Sequence, residues 1–385
     1  MRWTLAASLF LAVLPAFGEC AGWIAFRAPV RYASSADHTV FVRDLDGDGA
    51  PEILASGNQV DELEAFSILP NRGDGTFGAE LRLASGFGET LQAVGDLDGD
   101  HFPDLVASDY WSNGIRVYHA EGALRFDAGT FYATATHGGP SLIVDYDRDG
   151  VPDVASLSFG SGNPLRIHLF RGHGDGTLAP KSTFETGLAN GETPAVRTIG
   201  GALEILVSDR SARLGILRWA GGTLSASTLA AGPGINIAST FGDVDGDAIP
   251  DVLDGDDSAP SPWEPIFITL ANADGTFRER RQIEQPRTLT FPVELRVADV
   301  DGDGRGDLIV ADYHATHVAL FRGLGAETFE ASTPLDAGAP VNAFDLGDVN
   351  GDGRTDVVTA NADHTMSVLV NGGPCRAARQ RAVAH

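Results

Sequence analysis

Apolar residues fall in short runs along this chain, and each run is cut off by an acidic or glycine-rich turn. Before each acidic turn lies a stretch such as LQAV (Leu91 to Val94) or SLIV (Ser141 to Val144). After it comes a β-branched run: EILAS from Glu52, DLIVA from Asp307, DVVTA from Asp356. A polar turn and an alternating stretch follow, as in VALF (Val318 to Phe321) or MSVLV (Met366 to Val370). A Gly-rich segment often comes next: NRGDGTF at Asn71 to Phe77, GHGDGTL at Gly172 to Leu178, NADGTF at Asn272 to Phe277. Short β-branched runs separated by Asp-Gly turns predict strands and hairpins. No sustained helical period is present. Each unit therefore predicts about four short strands in up-and-down order.

The acidic turn recurs in register. It reads DLDGDGAPE at Asp44 to Glu52, DLDGDHFPD at Asp96 to Asp104 and DYDRDGVPD at Asp145 to Asp153. It returns as DVDGDAIPD at Asp243 to Asp251, DVDGDGRGD at Asp299 to Asp307 and DVNGDGRTD at Asp348 to Asp356. The starts are 52, 49, 98, 56 and 49 residues apart, so the long gap spans two periods. A seventh copy is expected near Val196, where VRTIGGALEIL keeps the apolar run and lacks the carboxylates.

Units of this kind cannot bury both faces alone. Seven of them predict an all-β fold, a seven-bladed β-propeller of four-stranded antiparallel blades. The last repeat stops after its third strand, at Asn371-Gly372-Gly373, and Trp23-Ile24-Ala25-Phe26 reads as a fourth strand. The ring is therefore expected to close through an N-terminal strand. Cys20 precedes that segment and Cys375 follows the last strand, which places two sulfurs at one junction and predicts a disulfide.

The ends divide the chain further. Met1-Arg2 followed by the apolar run Trp3 to Phe17 predicts a signal peptide over residues 1–18. The propeller then covers 19–375, and 376–385 is a basic tail expected to be disordered. This start predicts a secreted protein, extracellular or periplasmic, with no membrane span in the mature chain. The 53 acidic and 27 basic residues give a net charge of -26. Such acidity excludes a phosphate-backbone binder, so no nucleic-acid partner is expected. Two cysteines exclude a four-thiolate zinc site.

The acidic turns supply 23 carboxylates, which repel one another at this density. Calcium is a hard ion that takes six to eight oxygens, roughly 2.3–2.6 Å away. Loop positions 1, 3, 5 and 9 offer side-chain oxygens, position 7 a backbone carbonyl, and a Gly at position 6 allows the reversal. An EF-hand would need Glu at position 12 between helices. Here position 12 is Ala55, Ala107, Ser156, Asp254, Val310 or Thr359, and the flanks are β-branched.

These repeats, with the phrase TANADHTMSVLVNGG at Thr359 to Gly373, resemble the FG-GAP (or VCBS) repeats of integrin α-subunit propellers and of secreted bacterial proteins. The resemblance spans nearly all of the mature chain. It implies a seven-bladed propeller with structural calcium, up to six ions, in loops joining the first two strands of a blade. Carried over by position, the ligand sets are Asp44, Asp46, Asp48, Ala50 and Glu52; Asp96, Asp98, Asp100, Phe102 and Asp104; and Asp145, Asp147, Asp149, Val151 and Asp153. The others are Asp243, Asp245, Asp247, Ile249 and Asp251; Asp299, Asp301, Asp303, Arg305 and Asp307; and Asp348, Asn350, Asp352, Arg354 and Asp356. His101 and Ala248 replace the position-6 Gly, which points to weaker binding there, and Glu52 replaces the final Asp. No metal is expected near Val196.

No GxSxG, HExxH or phosphate-binding Gly loop is present. Arg305-Gly306-Asp307 spells an adhesion tripeptide, but its Asp is loop position 9 and is expected to face inward. The face opposite the acidic loops is expected to carry Tyr110, Trp111, Phe159, Trp263, Tyr313 and His314, with His38, Phe87 and His137 before inner strands. Aromatic and polar groups on such a rim suit sugar stacking or peptide anchoring. The favoured expectation is an exported calcium-binding propeller acting as a binding or adhesion module for a glycan or a surface protein. The alternative is an extracellular carbohydrate-active enzyme, a lyase or hydrolase, on the same scaffold.

Overall fold

The computed structural model describes residues 23–375 except 58–64, 110, 123, 135–136, 159–163, 189–191, 210–212, 232–235, 257–264, 284–288, 290–291, 313–314, 326 and 331. Seven four-stranded antiparallel sheets form the blades of a propeller. Blade 1 comprises Thr39–Arg43, Glu52–Ser56, Ala65–Leu69 and Leu81–Ala84; blade 2, Glu89–Gly95, Asp104–Asp109, Gly114–Tyr118 and Thr130–Ala133. Blade 3 comprises Gly138–Val144, Asp153–Ser158, Arg166–Phe170 and Ser182–Glu185; blade 4, Glu192–Ile199, Ala202–Asp209, Arg213–Ala220 and Thr223–Ala231. Blade 5 comprises Asn236–Gly242, Asp251–Asp256, Ile266–Thr269 and Arg281–Gln282; blade 6, Pro292–Ala298, Asp307–Asp312, His317–Phe321 and Thr333–Asp336. The first strands touch in succession, blade 7 meeting blade 1, so the ring is closed.

Blade 7 joins Val341–Gly347, Asp356–Asn361 and Thr365–Leu369 to Val30–Ala33. Its N-terminal strand is thus Val30–Ala33, which pairs with Thr365–Val368, and not Trp23–Phe26. Ile24–Phe26 instead pairs with Asn371–Pro374, with Phe26 opposite Asn371. The reason lies in the hairpin. Phe77 bridges Asn71 four residues before the outer strand of blade 1 begins at Leu81, and Phe26 stands four residues before Val30. The apolar segment WIAF is the incoming half of a strand 3–4 hairpin whose two halves come from opposite ends of the chain.

The core lies between blades. Successive residues of a strand point to opposite sheet faces. Ile53 and Ala55 accordingly pack with Val358 and Met366 of blade 7, while Leu54 packs with Leu91 and Leu105 of blade 2. This two-sided burial explains why the second strands read as uninterrupted apolar runs. Trp23 and Ile24 are buried with Val300, Ile309 and Leu320 of blade 6 and Phe344 and Leu369 of blade 7. Outer strands such as Val30–Ala33 and Leu81–Ala84 are largely exposed and carry little alternation.

Blade 4 shows what happens without the acidic loop. Ile199 and Ala202 are paired across Gly200-Gly201, both at positive φ (53° and 81°). Two successive left-handed residues make the tight turn whose twist matches a hairpin. Beside it, the Arg197 guanidinium donates to Glu204 Oε2 (2.8 and 2.7 Å) and Arg218 donates to Glu204 Oε1 (2.6 Å). Arg197 also lies over the rings of Phe241 and Phe277 (4.7 and 4.8 Å) of blade 5.

Candidate metal centres

Six acidic loops connect the first and second strands of blades 1, 2, 3, 5, 6 and 7. They share one backbone plan. Position 1 accepts the N–H of position 6 on its Oδ2 in all six: Gly49 to Asp44, His101 to Asp96, Gly150 to Asp145, Ala248 to Asp243, Gly304 to Asp299 and Gly353 to Asp348. Position 5 accepts the N–H of position 7, so Asp48, Asp100, Asp149, Asp247, Asp303 and Asp352 bond Ala50, Phe102, Val151, Ile249, Arg305 and Arg354. Position 6 is left-handed throughout, including His101 (φ 76°) and Ala248 (φ 65°). A side chain there costs roughly 1–2 kcal/mol relative to Gly, so both departures keep the loop shape at some loss of stability.

Position 9 does something the sequence concealed. Glu52, Asp104, Asp153, Asp251, Asp307 and Asp356 are 0–1% exposed. In each, one carboxylate oxygen accepts the N–H of loop position 2: Leu45, Leu97, Tyr146, Val244, Val300 or Val349 (2.9–3.1 Å). The other accepts an N–H from the strand 3–4 hairpin: Asn71, Ala120, Gly172, Ala271, Gly323 or Asn371 (2.7–3.2 Å). The acid thus clasps two backbone segments of its blade. Burial pushes these groups up, Glu52, Asp307 and Asp356 to about 7 and Asp153 and Asp251 to about 6; Asp104 moves the same way. Asp307 is part of the RGD tripeptide and is fully buried, as its loop position implies.

Five loops bring three carboxylate oxygens within 4.8 Å of one another: Asp44, Asp46 and Asp48; Asp96, Asp98 and Asp104; Asp145, Asp147 and Asp153; Asp243, Asp245 and Asp251; Asp299, Asp301 and Asp303. Burial and then the neighbouring carboxylate Asp48 raise Asp46, and burial with Asp247 or Asp303 raises Asp245 or Asp301. Crowded like charges in partly buried turns favour a bound cation, and an all-oxygen donor set suits a hard one. In the blade 7 loop Asn350 takes the place of the second acid.

Basic side chains reach some loops and not others. Arg171 Nε lies 2.8 Å from Asp147 Oδ2, and its Nη2 meets Asp149. Arg322 Nε lies 2.7 Å from Asp301 Oδ2 and its Nη2 3.1 Å from Asp303. His119 Nδ1 is 3.6 Å from Asp104, Arg278 is 3.9 Å from Asp245, and Arg354 meets Asp352. Among the described residues no basic side chain pairs with Asp44, Asp46, Asp48 or Glu52. The sequence signal for Arg171 and Arg322 was available: both immediately precede the hairpin bridge residue.

On the opposite face, Trp111 is 55% and Phe87 52% exposed, His38 is exposed and His137 half-buried. Tyr110, Phe159, Trp263, Tyr313 and His314 lie outside the described residues, as does Cys20. Cys375 is buried, and its N–H donates to the Trp23 carbonyl (3.0 Å). Acids on the first strands are engaged: Glu294 with Arg296 (2.7 Å) and Asp345 with Arg43 (2.9 Å). No helix among the described residues is long and apolar enough to cross a membrane.

Residues 44–107, 96–156 and 299–359 match the family model of the FG-GAP-like repeat. The chain therefore carries FG-GAP-like repeats. Two solved structures share its architecture, crystal structures of BBS1N in complex with ARL6DN soaked with mercury or with lead. The matched chains are 15% and 14% identical to this one, over 92% and 90% of this chain and 98% and 96% of theirs, each with a TM-score of 0.62. At that identity the likeness shows the fold alone.

Proposed function

We propose that this ring of FG-GAP-like repeats is an exported calcium-binding module whose ions are structural and whose partner is a protein or glycan. The observation that carries the metal reading is the recurrence of three carboxylate oxygens within 4.8 Å in five equivalent turns. Each calcium ion would be held by the position 1 and 3 side chains of a loop, together with position 5 or the buried position-9 acid. Its chemistry there is charge neutralisation, which fixes the turn between two strands. Export rests on the apolar N-terminal run Trp3 to Phe17. The same environment would oxidise Cys20 and Cys375 to a disulfide across the closure.

The partner face is the one bearing Trp111 and Phe87, large exposed aromatics on loops away from the acidic turns. The propeller of similar fold was crystallised as a complex with another protein, which favours a protein partner over catalysis. Glycan and surface-protein arrays, run with turnover assays, test this reading. Binding without product is the expected outcome, and product formation would establish the enzymatic alternative. A melt with and without chelator tests the metal: an unchanged midpoint after verified metal removal would overturn it.

A further inference from the structure

The residue just before each hairpin bridge occupies one register position in six blades: Pro70, His119, Arg171, Leu270, Arg322 and Val370. In blades 3 and 6 this residue is arginine, and the two guanidinium groups make the same fork. Nε takes the Oδ2 of position 3 and Nη2 takes the Oδ2 of position 5, on Asp147 and Asp149 in one blade and Asp301 and Asp303 in the other. A planar guanidinium bonding two carboxylates is the strong form of charge-assisted hydrogen bond. Asp301 is only 2% exposed, and Arg322 sits over the Trp23 ring at 5.6 Å. Positions 3 and 5 are also the carboxylates that a divalent ion would use.

We propose that Arg171 and Arg322 are built-in counter-ions that replace calcium in loops 145–153 and 299–307, leaving loop 44–52, with Pro70 at the same register, dependent on a bound ion. The inference rests on the calcium reading above for loops that lack the arginine. A tethered guanidinium is always present at its loop. A calcium ion drawing on positions 3 and 5 would compete with the guanidinium for the same carboxylates.

The test is a count of bound calcium by isothermal titration and metal analysis, with anomalous difference maps from crystals grown in calcium. The full chain is compared with Arg171→Gln, Arg322→Gln and the reciprocal Pro70→Arg. The wild-type protein is expected to show no anomalous peak at Asp147 and Asp149 or at Asp301 and Asp303. Each Gln variant should gain one ion at its own loop, and Pro70→Arg should lose one at Asp44, Asp46 and Asp48. Arg171 is 54% exposed, so its replacement leaves the fold intact and decides the question even if Arg322→Gln fails to fold. A wild-type peak at either arginine loop, or Arg171→Gln with an unchanged count, overturns the counter-ion. A wild-type protein that takes up no calcium anywhere overturns the reading of the other loops and the dependence of loop 44–52 with it.

Discussion

Phe26 stands opposite Asn371 as Phe77 stands opposite Asn71, so the ends of the chain meet inside a hairpin that the other blades make continuously. The seam this creates depends on packing. Ile24 is 2% exposed among residues of blades 6 and 7. Ile24→Ala is expected to cost about 2–5 kcal/mol of unfolding free energy. Val30→Ala, in the exposed outer strand of the same blade, is expected to stay within about 0.5 kcal/mol. Denaturant melts of the two variants check the contrast.

Blade 4 turns on Gly200-Gly201 and holds its interface through Arg197, Glu204 and Arg218. None of these depends on an ion. Hydrogen exchange in chelator should therefore leave Leu203 to Val207 protected while Ile53 to Ala55, which follow the loop without a basic partner, lose protection. Equal loss in both strands would contradict the expectation.

The clasp at Asp356 is separable from any metal. Its two oxygens accept from Val349 (3.0 Å) and Asn371 (2.7 Å) in a fully buried site. Asp356→Ala strands both donors, and each unpaired buried group costs about 1–3 kcal/mol. A loss of about 2–6 kcal/mol is expected, and a smaller one for Asp356→Asn, which keeps one acceptor. Chemical denaturation in chelator should preserve this order, because the donors are backbone groups.

His168 provides a pH signature. It is buried, with Nε2 2.6 Å from Ser158 Oγ and Nδ1 2.8 Å from Thr183 Oγ1. Burial, then Lys181 and Arg166, push it down from 6.5 to about 4. Between those values the unfolded chain binds the extra proton, so this residue makes stability fall as pH drops through the window. The contribution is complete above pH 6.5, and about 3 kcal/mol of it is lost by pH 4. Carboxylates titrate over the same range, so the measurement is the difference between wild type and His168→Gln, whose own profile should lack this component.

Six acidic turns in register, glycine-rich hairpins and β-branched runs made the seven blades legible in the sequence, together with the loop-bearing positions. The closing strand was harder. Val30–Ala33 is mostly exposed and polar on its outer face, so it carries a weaker pattern than the buried segment beside it. The position-9 clasp and the arginine forks escape a reading of single loops because they join each loop to residues 15 to 24 positions further on. Only the hairpin register brings those residues together. Most of the rim aromatics, Tyr110, Phe159, Trp263 and Tyr313, fall outside the described residues, so that part of the expectation stands as proposed.

The seam formed by Trp23 and Ile24 also orders events in time. During synthesis the segment 23–33 emerges before any blade exists, yet its partners at 365–374 follow only after all the other blades. Until then its tryptophan and isoleucine have no permanent neighbours and the final sheet is a strand short. Sealing the circle therefore waits on those later residues, and until they arrive the half-finished molecule presents an uncovered apolar edge.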